Sequence, residues 1–226
     1  MGNSLSVAKM IDHSLLNPSL SVKDLDSGCK TAVEYNVAGI CILPYYLKRC
    51  VELIQNTTVK AGTTIGFPHG GHTISTKVFE TRQALDEGAE ELDMVVNISK
   101  VLSEDWAYVH SEIQAVLDIV HAGKTKLKVI FENAYLDNKH KIKLCEICGQ
   151  LGVDWVKTST GYGPGGATDE DLILMRKYSP SSVQVKAAGG IRSYSRLLEV
   201  KSLGVTRVGA SQTAAILKEY QDTLIK

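Results

Sequence analysis

The sequence predicts a single (β/α)8 TIM barrel of the α/β class, one domain over residues 1–226. Three observations predict it. Short β-rich runs alternate with helix-spaced segments along the whole chain, eight of each. The joints between them are too short for a second domain, and no linker or low-complexity stretch interrupts them. The chain length also falls in the range of roughly 200–250 residues that such barrels occupy as one unit. An open doubly wound sheet would need fewer strands and would seldom carry charged residues inside central ones.

The predicted strands are Ile11–Leu16, Val37–Leu43, Thr63–Phe67, Glu91–Asn97, Leu127–Asn133, Trp155–Thr160, Val183–Ala188 and Arg207–Ala210. The predicted helices that follow them are Val22–Tyr35, Tyr46–Gln55, Thr73–Asp86, Ser103–Val120, Asn138–Leu151, Thr168–Tyr178, Tyr194–Leu203 and Ser211–Leu224. Within Ser103–Val120 the apolar residues Trp106, Val109, Ile113, Val116, Leu117 and Val120 repeat at helical spacing. Ser103 and Thr168 are suited to cap their helices, and Thr168 precedes an acidic first turn of Asp169, Glu170 and Asp171. Gly88, Gly152 and Gly204 stand where helices should end.

Charge and composition narrow the function. Lys+Arg and Asp+Glu number 25 each, so the basic excess of a nucleic-acid binder is missing and a small-molecule partner is expected. No run of apolar residues is long enough for a membrane span. The N-terminus lacks the apolar core of a secretory signal. It does fit the minimal myristoylation pattern from Gly2 to Ser6, but no basic cluster follows to supply a second anchor. Five cysteines without a secretion signal read as reduced thiols in a cytoplasmic protein.

Strands of a parallel barrel should be apolar on both faces, yet four consecutive runs carry charges. The two-residue period sets Leu92, Met94 and Val96 against Asp93, and Val129 and Phe131 against Lys128 and Glu132. It also sets Val183, Val185 and Ala187 against Gln184 and Lys186. With the apolar rows against the helices, Asp93, Lys128, Glu132, Lys157 and Lys186 face the interior. Burying such a cluster is costly unless its members pair. A purely structural ion-pair network is the competing reading, and four adjacent strands weigh against it.

The cluster suggests amine chemistry. A free lysine is only about 0.04% neutral at pH 7, and only the neutral amine attacks a carbonyl. A second ammonium about 4 Å away, at an effective dielectric near 20, costs roughly 4 kcal/mol, or about three pKa units. Lys157 and Lys186 on neighbouring strands are placed for this, with Asp93 to shuttle protons.

Glycine-rich segments end the last three strands: Gly161–Gly166, Gly189-Gly190 and Gly209-Ala210-Ser211. Loops after strands seven and eight of barrels often hold phosphate through backbone N–H groups and a helix N-terminus. The first segment is a poor dinucleotide fingerprint, because acidic residues open the next helix, and no P-loop lysine follows. Cys145 and Cys148 have CxxC spacing but lie in a helical pattern without a partner pair, so ordinary thiols are expected. His69 and His72 lack a third ligand at motif spacing, and no metal or cofactor is expected.

The motifs together resemble a known family. Ile11-Asp-His-Ser-Leu-Leu16, Gly66-Phe-Pro-His-Gly70, Lys77-Val-Phe-Glu80, Glu91-Leu-Asp-Met-Val95, Lys128-Val-Ile-Phe-Glu132, Val156-Lys-Thr-Ser-Thr-Gly161, Gly165-Gly-Ala-Thr168, Val185-Lys-Ala-Ala-Gly-Gly-Ile-Arg192 and Arg207-Val-Gly-Ala-Ser211 resemble the deoxyribose-phosphate aldolase family in order. The resemblance implies a class I aldolase cleaving 2-deoxy-D-ribose 5-phosphate reversibly to acetaldehyde and D-glyceraldehyde 3-phosphate, without a metal. It implies Lys157 as the Schiff-base lysine, Lys186 as the neighbour that lowers its pKa, and Asp93 as the proton relay. Asp12, Lys128, Thr158, Gly161, Gly189, Gly190, Gly209 and Ser211 are the expected substrate-binding residues.

This chain departs from the family where Ser14, Asn133 and Gln212 stand; the last removes a frequent phosphate hydroxyl. The expected partners are a phosphorylated sugar and aldehydes, with no nucleic acid and no membrane, and with a homodimer as the assembly. A Schiff-base barrel aldolase with another sugar substrate, or an inactive sugar-phosphate sensor, is the alternative; reductive trapping separates enzyme from sensor.

Overall fold

The structure is a computed structural model that describes residues 7–224, so the myristoylation pattern lies outside the described residues. Its parallel strands are β1 (Ile11–Leu15), β2 (Gly39–Ile42), β3 (Lys60–Ile65), β4 (Glu91–Val95), β5 (Lys126–Ile130), β6 (Trp155–Lys157), β7 (Gln184–Ala188) and β8 (Arg207–Ala210). They pair in chain order, and β8 returns to β1 through Ile11 opposite Val208 and Asp12 opposite Gly209, closing the barrel. All eight predicted strands are present.

The intervening helices are α1 (Val22–Glu34), α2 (Leu47–Ile54), α3 (Ile74–Asp86), α4 (Ile98–Leu102), α5 (Trp106–Ala122), α6 (Asn138–Leu151), α7 (Asp169–Tyr178), α8 (Tyr194–Ser202) and α9 (Thr213–Leu224). Seven of them start at a side chain that accepts a free N–H of the first turn, whereas α2 has no such cap. Ser21 and Asp24 cap α1 reciprocally, Asp137 caps α6, and Thr168 caps α7 by accepting from the Asp171 N–H at 3.2 Å. Gly152 ends α6 at φ +76°, in the left-handed region that suits glycine.

Some boundaries differ from the sequence reading, each for a local reason. Ser103 does not cap the long helix: it closes the short α4, Glu104 turns the chain at φ +54°, and Asp105 caps α5 by accepting from the Tyr108 N–H at 3.2 Å. Strand β3 starts earlier than predicted because Gly62 belongs inside it. A Cβ there would lie 3.0 Å from the carbonyl oxygens of both Glu91 and Ile40, so only glycine fits between the neighbouring strands. Strand β5 stops early because Glu132 adopts φ +55°, and Asn133–Tyr135 form a 3-10 turn.

The apolar rows face the helices as the alternation predicts. Leu92, Met94, Leu127, Val129, Val185 and Ala187 are buried in one cluster with Val109, Ile113, Val116, Leu144 and Leu197 of the helical layer. Each large apolar side chain buried there contributes about 1.5–3 kcal/mol. Cohesion therefore resides between sheet and helices, which leaves the barrel interior available for polar groups.

One buried ion pair braces this outer layer. Lys77 of α3 donates to Glu112 of α5 at 2.7 Å and to the Val95 carbonyl at 2.6 Å. Glu112 in turn accepts from the Asn97 N–H at 2.9 Å, so the pair clamps the chain leaving β4. Both side chains are fully shielded from solvent.

Candidate active site

The strand register brings the interior charges into one contact network. Lys157 lies opposite Lys186 between β6 and β7, and Asp93 lies opposite Lys128 between β4 and β5. Asp93 is the hub. Its Oδ2 accepts from Lys157 at 2.7 Å and from Lys186 at 2.8 Å, and its Oδ1 accepts from Lys128 at 3.0 Å. Asp12 takes Lys186 on one oxygen at 2.5 Å and Arg207 on the other at 2.6 Å. Glu91 completes the lower layer, 2.5 Å from Lys128 and 2.9 Å from Arg207. All of these side chains except Arg207 are buried, and Arg207 is nearly so.

The balance of this network is uneven. Lys128, Lys157, Lys186 and Arg207 face Asp12, Glu91 and Asp93, leaving one positive charge in excess when all are ionised. Lys128 touches all three carboxylates and Lys186 touches two, whereas Lys157 has Asp93 alone. Burial opposes the charge on Asp93, but Lys128, Lys157 and Lys186 overcome it and hold this carboxyl well below the usual carboxylate range. Asp12 is driven down in the same way by Lys186, Lys128 and Arg207 against its burial. Lys186 and Lys128 are disfavoured by burial yet held above the ordinary lysine value by the carboxylates, so both stay cationic.

Above the network the C-terminal ends of the strands open into a cleft of about 570 Å³. Lys157, Lys186 and Asp12 form its floor, and Gly161, Gly189, Gly190, Gly209 and Ser211 form its wall. Gly189 and Gly190 adopt φ of +82° and +89°, and a Cβ on Gly190 would meet no protein atom within 4 Å, so its backbone is open to the cleft. Gly189 is held from behind: its carbonyl accepts from the Ala167 N–H at 3.0 Å, and a Cβ on Gly166 would lie 2.4 Å from that carbonyl. The loops after β6 and β7 thus pack backbone against backbone. Ser211 is exposed just before α9 begins.

Not every residue expected at the site reaches it. Lys128 lies below Asp93, with its ammonium 5.7 Å from the Trp155 ring centre, and does not line the cleft. Thr158 points away from the interior, since it follows the inward Lys157; its hydroxyl bridges the Ala188 carbonyl and N–H at 3.1 Å each, extending the β6–β7 pairing. Glu132 does not join the lysines. With β5 ended and its own φ positive, it turns to the β6 loop and accepts from the Thr160 N–H at 3.1 Å and from the Thr160 hydroxyl.

Residues 6–220 match the family described as DeoC/LacD family aldolase. The chain belongs to that family. It is 61% identical over 218 residues to the deoxyribose-phosphate aldolase of Rhodopirellula baltica, covering 96% of this chain and 90% of the relative. It is 45% identical over 218 residues to the deoxyribose-phosphate aldolase of Caldanaerobacter subterraneus, covering 96% and 94%. Among solved structures, the tetrameric deoxyribose phosphate aldolase from Aeropyrum pernix superposes with a TM-score of 0.90 at 28% identity, covering 99% of this chain and 94% of the other.

Within this aldolase the sequence reading missed Glu91, Arg207 and Cys41. Glu91 and Arg207 begin their strands, where charges ordinarily meet solvent, and only the barrel's closure brings them together. Cys41 lines the cleft; burial, with Asp93 nearby, pushes its thiol up to about 11, so it remains protonated. Burial also pushes the Cys145 thiol up to about 11 and the Cys148 thiol well above its ordinary value, in keeping with two inert helix thiols. Among the described residues no three His, Cys, Asp or Glu side chains converge in a metal-holding group, and no helix is long and apolar enough to cross a membrane.

Proposed function

We propose that this DeoC/LacD family aldolase cleaves 2-deoxy-D-ribose 5-phosphate reversibly to acetaldehyde and D-glyceraldehyde 3-phosphate, with Lys157 as the covalent residue. One observation carries this reading: of the three interior lysines, Lys157 alone both lines the cleft and has a single carboxylate contact. Lys186 stays charged, held to the same Asp93 oxygen that accepts from Lys157 and to Asp12 as well.

The chemistry follows from that arrangement. The Lys157 amine adds to the C1 aldehyde of the open-chain sugar, and loss of water leaves an iminium. A base removes the C3 hydroxyl proton, the C2–C3 bond breaks, and its electron pair moves into the iminium to leave an enamine. Glyceraldehyde 3-phosphate departs. Protonation of the enamine carbon and hydrolysis then release acetaldehyde and restore the amine. Asp93, hydrogen-bonded to Lys157, is placed to relay protons at the nitrogen.

Phosphate is bound at the other end of the cleft. Gly189, Gly190 and Ser211 line the cleft, and the N–H groups of that glycine turn and of the chain entering α9, with the Ser211 hydroxyl, are the donors for the phosphate in this reading. Gln212 offers an amide where the family often has a second hydroxyl. The test is a coupled assay that reduces glyceraldehyde 3-phosphate as it forms from deoxyribose 5-phosphate. Steady product formation supports the reading; binding without turnover would leave a sugar-phosphate sensor.

A further inference from the structure

A second chamber of about 420 Å³ opens on the same face of the barrel, beside the cleft. The two cavities share Thr160 and Tyr162, so Tyr162 stands as a wall between them. That wall is tied at three points. Its hydroxyl donates to the Leu16 carbonyl at 2.6 Å, its N–H donates to the Thr160 hydroxyl at 3.0 Å, and its ring meets Phe67 edge-on at 5.5 Å. Behind it, Ile98, Leu102 and Tyr135 give the chamber an apolar side.

The chamber is also lined by Glu132, which is buried. One of its oxygens is committed to Thr160, and the other, Oε1, has no hydrogen-bond partner. His69, Ser99 and Ser103 add polar groups to the chamber's rim. A buried carboxyl oxygen without a donor is costly, and a largely apolar chamber containing one suits an apolar molecule that ends in a donor. The positive φ of Glu132 holds the side chain in this place, off the strand and away from the lysine network.

We propose that the second chamber is an acceptor subsite, closed off by Tyr162, for aldehydes with an apolar chain and a hydroxyl at the far end. The inference rests on the aldolase reading given above. In the synthetic direction the enamine carbon of acetaldehyde bound to Lys157 attacks the acceptor's aldehyde carbon. The new carbon–carbon bond forms as the acceptor oxygen takes up a proton. A short phosphorylated acceptor fits the cleft with its phosphate at the glycine loops. A longer unphosphorylated one extends past Thr160 and meets the Tyr162 ring. Tyr162 thereby sets acceptor length, and Glu132 selects among the acceptors that pass.

The test compares kcat/KM for acetaldehyde addition to glyceraldehyde 3-phosphate, hexanal and 6-hydroxyhexanal, in wild type, Tyr162→Ala, Tyr162→Leu and Tyr162→Phe. Removing the ring should raise the ratio of 6-hydroxyhexanal to glyceraldehyde 3-phosphate by about tenfold or more, with hexanal gaining less. Tyr162→Phe keeps the ring and should keep the wild-type ratio. Tyr162→Leu, a smaller side chain without the polar tether, gives the same reading should the alanine variant not fold. An unchanged ratio in both ring-deleted variants, or an equal rise in Tyr162→Phe, overturns the inference. An inactive wild type sinks the aldolase reading and this inference with it, whereas an active wild type with an unmoved ratio sinks this inference alone.

Discussion

Lys157 and Lys186 are register partners on β6 and β7, and both donate to the same oxygen of Asp93, at 2.7 and 2.8 Å. Their nitrogens can therefore be no farther apart than the sum of those distances. From the sequence the two lysines were expected to repel directly. In the structure the carboxylate between them offsets part of that repulsion, and the contrast lies in how firmly each lysine is held. Lys186 has Asp12 as well, whereas Lys157 does not.

Replacing Lys186 with Leu removes the neighbouring cation and leaves Asp12 and Asp93 with less positive charge to share. The rate at pH 7 should fall by orders of magnitude, the ascending limb of the pH–rate profile should move up by about one unit or more, and activity should partly return at high pH. A profile parallel to wild type would assign Lys186 a different role.

The phosphate end separates binding from chemistry. Loss of one charge-assisted hydrogen bond in Ser211→Ala should weaken kcat/KM for deoxyribose 5-phosphate roughly tenfold and leave unphosphorylated deoxyribose nearly unchanged. Gly190→Val should do more damage, because its backbone sits at φ +89° and a branched side chain would project into the open cleft. Equal losses on both sugars in Ser211→Ala would place the phosphate elsewhere.

How much of this was legible in the chain depended on the range of the signal. Alternation along single strands placed Asp93, Lys157 and Lys186 inside and Leu92, Met94 and Val185 outside, because side-chain direction in a strand is local. The same alternation already pointed Thr158 outward, where its hydroxyl bridges the Ala188 carbonyl and N–H and it does not line the cleft. Glu91 and Arg207 could not be paired from sequence, since their contact spans the barrel between β4 and β8. Glu132 left the interior because of a single left-handed residue at the end of β5, which no period announces. Ser103 and Asp105 are both good caps two residues apart, and the turn at Glu104 decided between them.

Mild acid should destabilise the fold through His13 before the carboxylates titrate. Burial lowers its pKa to about 4, and its Nδ1 lies 2.8 Å from the Thr213 hydroxyl. An unfolded histidine titrates near 6.5, so below that value the unfolded chain takes up the proton first. The contribution is fully present above pH 6.5, declines as pH falls, and is lost by about pH 4. Its size is on the order of 3 kcal/mol. Urea midpoints measured from pH 7.5 to 4.5 should fall in wild type and flatten over that window in His13→Gln; parallel curves would remove His13 as the cause.

The buried clamp behind β4 should matter for stability more than any surface ion pair. Lys77→Met strips Glu112 of its cation inside the protein, a change that costs about 3–5 kcal/mol. The double variant Lys77→Met, Glu112→Leu should recover much of that loss in chemical denaturation. A single variant as stable as wild type would mean that the Asn97 N–H alone satisfies Glu112.

The assignment of Lys157 is tested most directly by reductive trapping. Borohydride added to the protein with acetaldehyde should attach a two-carbon group to one lysine, located by peptide mass mapping. The arrangement around Asp93 predicts that label on Lys157, and its loss in Lys157→Ala. Label on Lys186 or Lys128, or no covalent mass at all, would contradict the account.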